Sequence, residues 1–186
     1  DDVRRRFVLR SKVISEIRKF LDKEGFLEVE TPVLQTLAGG ALAKPFKTHH
    51  NALNMDLSLR IAPELYLKRL LVGGFGKVYE IARNFRNEGI DATHNPEFTM
   101  LESYEAYRDA DYLMGFAERL VKAAVINSVG EEKIKFGGSE INFGGEYQRV
   151  AYFDLFKRYA LMADAETASK DDYSLKAKQL GVEVKD

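Results

Sequence analysis

Between residues 83 and 104 several side chains able to do chemistry fall on one face of paired extended segments. Residues Phe98, Met100, Glu102, Tyr104 and Ala106 alternate with their neighbours and share one side of a strand. A carboxylate and a phenol flanked by apolar residues form a pocket for an ammonium group: Glu102 brings charge and Tyr104 orients a hydrogen bond. Phe98 on the same side offers a ring face on which a flat base can stack. Arg86 ends the preceding extended segment with a fork suited to carboxylate or phosphate, and Glu88 and His94 lie on the connecting loop. One small surface could therefore hold an amine, an anion and a planar base. Taken singly, each residue has a plainer role: Arg86 in a surface ion pair, Phe98 and Met100 in a core, Glu102 as a solvated carboxylate, His94 as a loop histidine. Glu64 follows Pro63 in a first helical turn, where the helix dipole favours a carboxylate, and Gly39-Gly40 reads as a turn.

The elements that must position these residues are set by periodicity. Leu9, Val13, Ile14, Ile17, Phe20 and Leu21 recur at three- and four-residue spacing and predict a helix over about 7–24, stopped by Gly25. A short strand is expected over 26–30, closed by Thr31-Pro32. Residues 35–56 read as loop with short strands. Pro63 opens a helix to about Leu71, ended by Gly73-Gly74. Strands over 77–86 and 97–107 pair simplest as an antiparallel hairpin around a long polar loop, and long loops in compact domains are often functional. Asp109 or Asp111 caps the next helix, and Gly137-Gly138 turns a hairpin between 133–136 and 140–143. Helices are expected over 153–160 and from a Ser169-x-x-Asp172 capping start to about Leu180, with a strand over 181–184.

The whole chain sets the frame. Its 186 residues carry 28 Lys plus Arg against 29 Asp plus Glu, a formal charge of −1, which gives no support for a broadly nucleic-acid-coating protein. With 45% hydrophobic and 31% charged residues it is an ordinary globular composition, not a disordered one. The absence of Cys removes disulfides, Cys–zinc sites and thiol catalysis. No apolar run reaches the roughly 18 residues that cross a bilayer, so a cytoplasmic protein is expected. Asp1 in place of Met, with a helix pattern starting almost at once, reads as a cut end.

Four ordered blocks carry a resemblance. Phe85-Arg86-Asn87-Glu88 followed by His94-Asn95-Pro96-Glu97-Phe98-Thr99-Met100-Leu101-Glu102 is similar to motif 2 of the class II aminoacyl-tRNA synthetases. Gly25-Phe26-Leu27-Glu28-Val29-Glu30-Thr31-Pro32 is similar to their motif 1. Ala62-Pro63-Glu64-Leu65-Tyr66-Leu67-Lys68-Arg69-Leu70 and Pro45-Phe46-x-Thr48-His49-His50-Asn51 narrow the match to the lysine-specific branch of the aspartate/asparagine/lysine subgroup. The strong resemblance covers about residues 4–107.

The resemblance implies an α+β fold with a mainly antiparallel sheet flanked by helices, and a homodimer formed through the motif 1 helix and strand. It implies ATP-dependent activation of L-lysine to lysyl-adenylate and transfer to tRNA(Lys). Position by position it makes Arg86 the catalytic arginine, touching the α-phosphate and the amino-acid carboxylate. Glu88, His94 and Asn95 match residues around adenine and triphosphate, and Phe98 the phenylalanine that stacks on adenine. Glu102 and Tyr104 match the lining of the lysine side-chain pocket, Glu64 the carboxylate near the α-amino group, and Gly40 a backbone approach to lysine.

Motif 3, the acidic Mg2+ ligands and the N-terminal anticodon-binding OB barrel have no counterpart in the sequence, so 1–186 reads as a partial class II catalytic domain with no metal ligands of its own. Three expectations result: a piece of a lysine–tRNA ligase, a paralogue using lysyl-adenylate to modify a protein, or a non-catalytic dimerisation module. Arg86, Glu102 and Tyr104 speak against the last.

Overall fold

A computed structural model describes residues 1–182 in two compact units, Asp1–Gly144 and a second beginning at Gly145. In the first, helix α1 spans Asp2–Lys23, several residues earlier than the apolar spacing alone marks. Its start is set by Asp1, whose carboxylate accepts from Val3 N at 3.1 Å. Gly25, at φ +82°, turns the chain out of the helix. Strand β1 is only Leu27–Glu28, parallel to β5 (Lys77–Phe85). The expected strand over 26–30 is shortened because Pro32 lacks an N–H and Thr31 turns its polar groups toward a buried ion pair.

β2 (Leu34–Gln35), β3 (Lys47–His50) and β4 (Met55–Leu59) form a separate antiparallel sheet in the order β2-β4-β3, with a 3₁₀ turn at Asn51–Leu53. Helix α2, Glu64–Val72, begins directly after Pro63 and ends at Gly73. β5 pairs antiparallel with β6 (Glu97–Glu105) along its full length, Val78 facing Tyr104, Glu80 facing Glu102, Ala82 facing Met100 and Asn84 facing Phe98. The alternation read from sequence is therefore the observed one. β6 stops at Glu105, two residues short of expectation, where Tyr107 takes φ +60°. Asp109, not Asp111, caps α3 (Ala110–Val129), accepting from Tyr112 N at 2.9 Å.

The other face of the hairpin packs on the helices. Leu21, Phe26, Tyr79 and Phe116 are buried together, with Ile17, Phe20, Ile81, Leu101 and Leu120 against them. The Phe26 and Phe116 rings lie 5.3 Å apart. The Tyr79 hydroxyl donates to Glu28 at 3.1 Å, and burial followed by the Glu28 charge pushes the phenol above its ordinary range. β7 (Lys133–Phe136) and β8 (Ser139–Asn142) form the expected hairpin, both turn glycines at positive φ.

In the second unit the helix expected over 153–160 is broken into α4 (Tyr152–Leu155) and a π turn at Phe156–Ala160, ended by Leu161 at φ +52°. α5, Lys170–Gln179, starts at the expected capping box of Ser169 and Asp172. The strand expected over 181–184 lies largely outside the described residues; Gly181 is a turn and Val182 belongs to no strand.

Among the described residues four of the five strand pairings are antiparallel, so the mainly antiparallel α+β expectation holds, as three small sheets rather than one. Among the same residues no helix is long and apolar enough to cross a membrane.

Candidate active site

The β5–β6 ladder puts all the strand-borne candidates on one face, and it is the face turned away from α1 and α3. At one end of it Arg86 leaves β5 with its N–H donating to Pro96 O at 2.8 Å, which closes the base of the loop over 87–96. Its guanidinium lies 5.1 Å from the centroid of the Phe98 ring, and its Nε donates to Ile61 O at 3.5 Å. A planar cation over an aromatic face is held flat while its remaining N–H groups stay available. Arg86, Glu88, His94, Asn95 and Phe98 line one cleft of about 590 Å³. This is the size of a small-molecule site.

The loop has an internal clasp that the residue-type reading missed. Asp91 accepts from Thr93 N at 2.7 Å, from His94 N at 2.9 Å and from the His94 ring Nδ1 at 2.7 Å. These bonds, the Thr93 backbone N–H first, hold the Asp91 carboxyl well below the usual carboxylate range. With Nδ1 engaged, the imidazole keeps Nε2 for a ligand. The signal was present in sequence as Asp-x-Thr, a local turn in which an Asp side chain accepts from the backbone two residues on. Glu88 is partly committed, accepting from Lys44 N at 3.3 Å, while Asn87 N donates to Lys44 O at 2.7 Å. The segment before β3 thereby touches the loop.

At the other end, Tyr104 Oη donates to Glu102 Oε2 at 3.0 Å. Burial first, then the charges of Glu64 and Glu80, raises the Glu102 carboxyl above its ordinary value against the opposing Tyr104 bond and Arg86 charge. Burial and the Glu102 charge push the Tyr104 phenol up as well, so it remains a donor at neutral pH. Glu64, in the first turn of α2, accepts from Lys68 Nζ at 2.6 Å. That same ammonium stands 5.8 Å from the Tyr104 ring centroid. The Lys68 ammonium thus lies between a carboxylate and a phenol ring.

Gly40 belongs to the same corner. Its φ is +87°, and a Cβ there would stand 2.8 Å from the Glu64 Cβ. Only glycine meets both demands without a shift. All nine sequence candidates therefore gather along one hairpin face and its margins. Four charged neighbours that the residue types did not mark lie beside them: Lys68 is bonded to Glu64, Asp91 to His94, and Arg60 to Glu80 opposite Glu102. Among the described residues no three His, Cys, Asp or Glu side chains converge on a metal site.

Residues 1–185 match the family described as tRNA synthetases class II (D, K and N). A lysine–tRNA ligase of Syntrophomonas wolfei is 53% identical over 184 residues, which cover 99% of this chain and 37% of that protein. One from Thiobacillus denitrificans is 56% identical over 159 residues, 86% of this chain and 32% of its own length. One from Haemophilus influenzae is 49% identical over 189 residues, 99% and 37% respectively. The chain thus spans about a third of the length of these curated relatives. It belongs to the class II tRNA synthetase family of the D, K and N type.

Proposed function

We propose that, as a member of that family, the protein carrying this chain activates L-lysine with ATP and passes the lysyl group to tRNA(Lys). The observation that carries the reading is charge complementarity at the hairpin. Free lysine bears two ammonium groups and one carboxylate; beside the mutually paired Arg60 and Glu80, the face and its margin offer two carboxylates, Glu64 and Glu102, and one guanidinium, Arg86. Tyr104 orients Glu102 by its hydrogen bond, so the side-chain ammonium meets a fixed acceptor. Glu64 takes the α-ammonium, displacing Lys68, and Gly40 lets the backbone close over it.

On the nucleotide side Phe98 stacks on adenine, with Glu88, His94 and Asn95 around adenine and triphosphate. The lysine carboxylate oxygen attacks the α-phosphorus, the bond to the bridging oxygen breaks, and pyrophosphate leaves. The substrate is its own nucleophile, so no protein base is needed; the chain's contribution is positioning and electrostatics. Arg86 is the catalytic residue: negative charge grows on the α-phosphate as the bond forms, and a fixed donor aimed there contributes about 2.7–4 kcal/mol in comparable sites.

A homodimer is part of the same proposal. Val3, Phe7 and Val8 on α1 are exposed, and an apolar strip of that kind favours a symmetric partner. The test of function is lysine-dependent ATP–pyrophosphate exchange by the full-length protein. Exchange that needs lysine and falls by roughly 10²–10³-fold in Arg86→Ala supports the reading. Exchange driven by another amino acid, or untouched by the substitution, refutes it.

A further inference from the structure

Directly opposite Glu102 in the ladder stands Glu80, a second carboxylate on the same face. It is 3% exposed, and its partner Arg60 is 4% exposed. A buried ion pair is favourable only when every arm is satisfied, and here nearly every arm is. Arg60 Nη1 donates to Glu80 Oε1 at 2.5 Å and to Thr31 O at 3.0 Å, while Nε donates to Arg83 O at 2.9 Å. Thr31 Oγ1 donates to the other Glu80 oxygen at 2.6 Å. The backbone is pinned as well: Arg60 N donates to Val33 O at 2.8 Å and Arg60 O accepts from Phe85 N at 3.0 Å. Residue 60 is thus tied to the chain after β1, to β5 and to the carboxylate inside the hairpin face.

The segment just after Arg60 carries the substrate machinery. The Ile61 carbonyl accepts from Arg86 Nε, and Glu64 opens α2 after Pro63. A shift at Arg60 would therefore move the arginine contact and the Glu64 carboxylate together. The electrostatics point the same way. Three carboxylates, Glu64, Glu80 and Glu102, lie close enough that the first two raise the third. Arg60 matches the charge of Glu80 alone, which leaves Glu102, and Glu64 once Lys68 is displaced, for an incoming diamine.

We propose that Arg60 and Glu80, with Thr31, are positioning residues of the amine pocket, fixing the 60–64 segment against the hairpin and reserving Glu102 for the ligand. The proposal rests on lysine being the substrate. Its test separates this role from simple structural support, because a purely structural buried pair is replaceable by apolar side chains of similar volume.

The full-length Arg60→Met/Glu80→Met double variant is compared with wild type in thermal melting and in lysine-dependent exchange. The expected result is a folded protein whose KM for lysine rises about tenfold while its KM for ATP stays within about twofold. Glu80→Gln serves as the second variant, because its amide oxygen can still accept from Arg60. It leaves the guanidinium without its counter-charge, free to attract Glu102, and is expected to raise the lysine KM at least as far. Wild-type lysine KM in either folded variant would overturn this inference alone. A wild-type protein that activates no lysine would overturn the substrate reading, and this inference with it.

Discussion

At one end of the hairpin face Glu102 and Tyr104 stand on a paired strand, half-buried and bonded to each other, with Glu80 of the Arg60–Glu80 pair opposite Glu102 on the neighbouring strand. At the other end Glu88, His94 and Asn95 stand on an exposed loop whose order comes from short-range bonds to Asp91 and from the Lys44 backbone. On the proposed function the two ends face different chemistry. A small diamine is recognised by matching a few charges at fixed spacing, and a group held by a ladder keeps that spacing with little ordering left to do on binding. A triphosphate is long and flexible, and an exposed loop can close on it. On that reading the difference teaches where rigidity is needed: selectivity would be built into the sheet and capture into the loop.

Separating the two Michaelis constants breaks or sharpens this contrast. The largest effect is expected from Glu102→Gln in the full-length protein. Losing a charged acceptor is worth about 1.5–3 kcal/mol, so the lysine KM should rise by about one to two orders of magnitude with little change for ATP. The pH dependence gives a sharper form of the same test. The Glu102 carboxyl is raised above its ordinary value in the fold. The ionised form binds an ammonium, so lysine affinity should increase as pH rises through that raised value. Folding stability runs the other way: a raised carboxyl contributes stability below its unfolded pKa and loses it as pH rises through the folded one. Calorimetric titration of lysine and melting curves over the same pH range should therefore slope oppositely, and Glu102→Gln should flatten both.

A middle-sized effect is expected from Gly40→Ala. The positive φ and the 2.8 Å approach to the Glu64 Cβ penalise any side chain, costing about 1–3 kcal/mol of stability. The lysine KM should rise about fivefold through displaced Glu64, again with ATP spared. An equal rise in both constants would show that the corner is not specific to the amine.

The smallest effect is expected from Asp91→Asn. The clasp is exposed, so melting should hardly move, and the ATP KM should rise by about two- to fivefold with the lysine KM unchanged. The Asp91 carboxyl is held low, so its contribution is present above the unfolded pKa and lost only as pH falls through the depressed folded value. Between about pH 5 and 8 the ATP constant should show no slope from this group. A lysine KM that followed Asp91→Asn would couple the two ends and remove the contrast.

Local signals were legible wherever a residue's own neighbours decide its conformation. The hairpin faces came from alternation, so Glu102, Tyr104 and Phe98 were placed together correctly. The capping box at Ser169 and the glycine turn at Gly137-Gly138 were equally readable. Illegible were features decided by a distant partner. β1 is cut short because Thr31 is drawn to a pair formed 29 and 49 residues away. The helix over 153–160 loses its regular ladder to a π turn, which apolar spacing does not distinguish.

The sequence by itself determined the alternating faces, the caps, the turns and the ordered blocks that mark the family. These depend on side-chain period, backbone sterics and residue type, which travel with the chain. Only the tertiary structure decided that Glu80 is tied to Arg60 while Glu102 is held by Tyr104, and that Gly40 presses on Glu64. Two carboxylates on one hairpin face look alike in a sequence. What separates them is which cation the fold brings within reach, and that is fixed by packing between segments far apart along the chain.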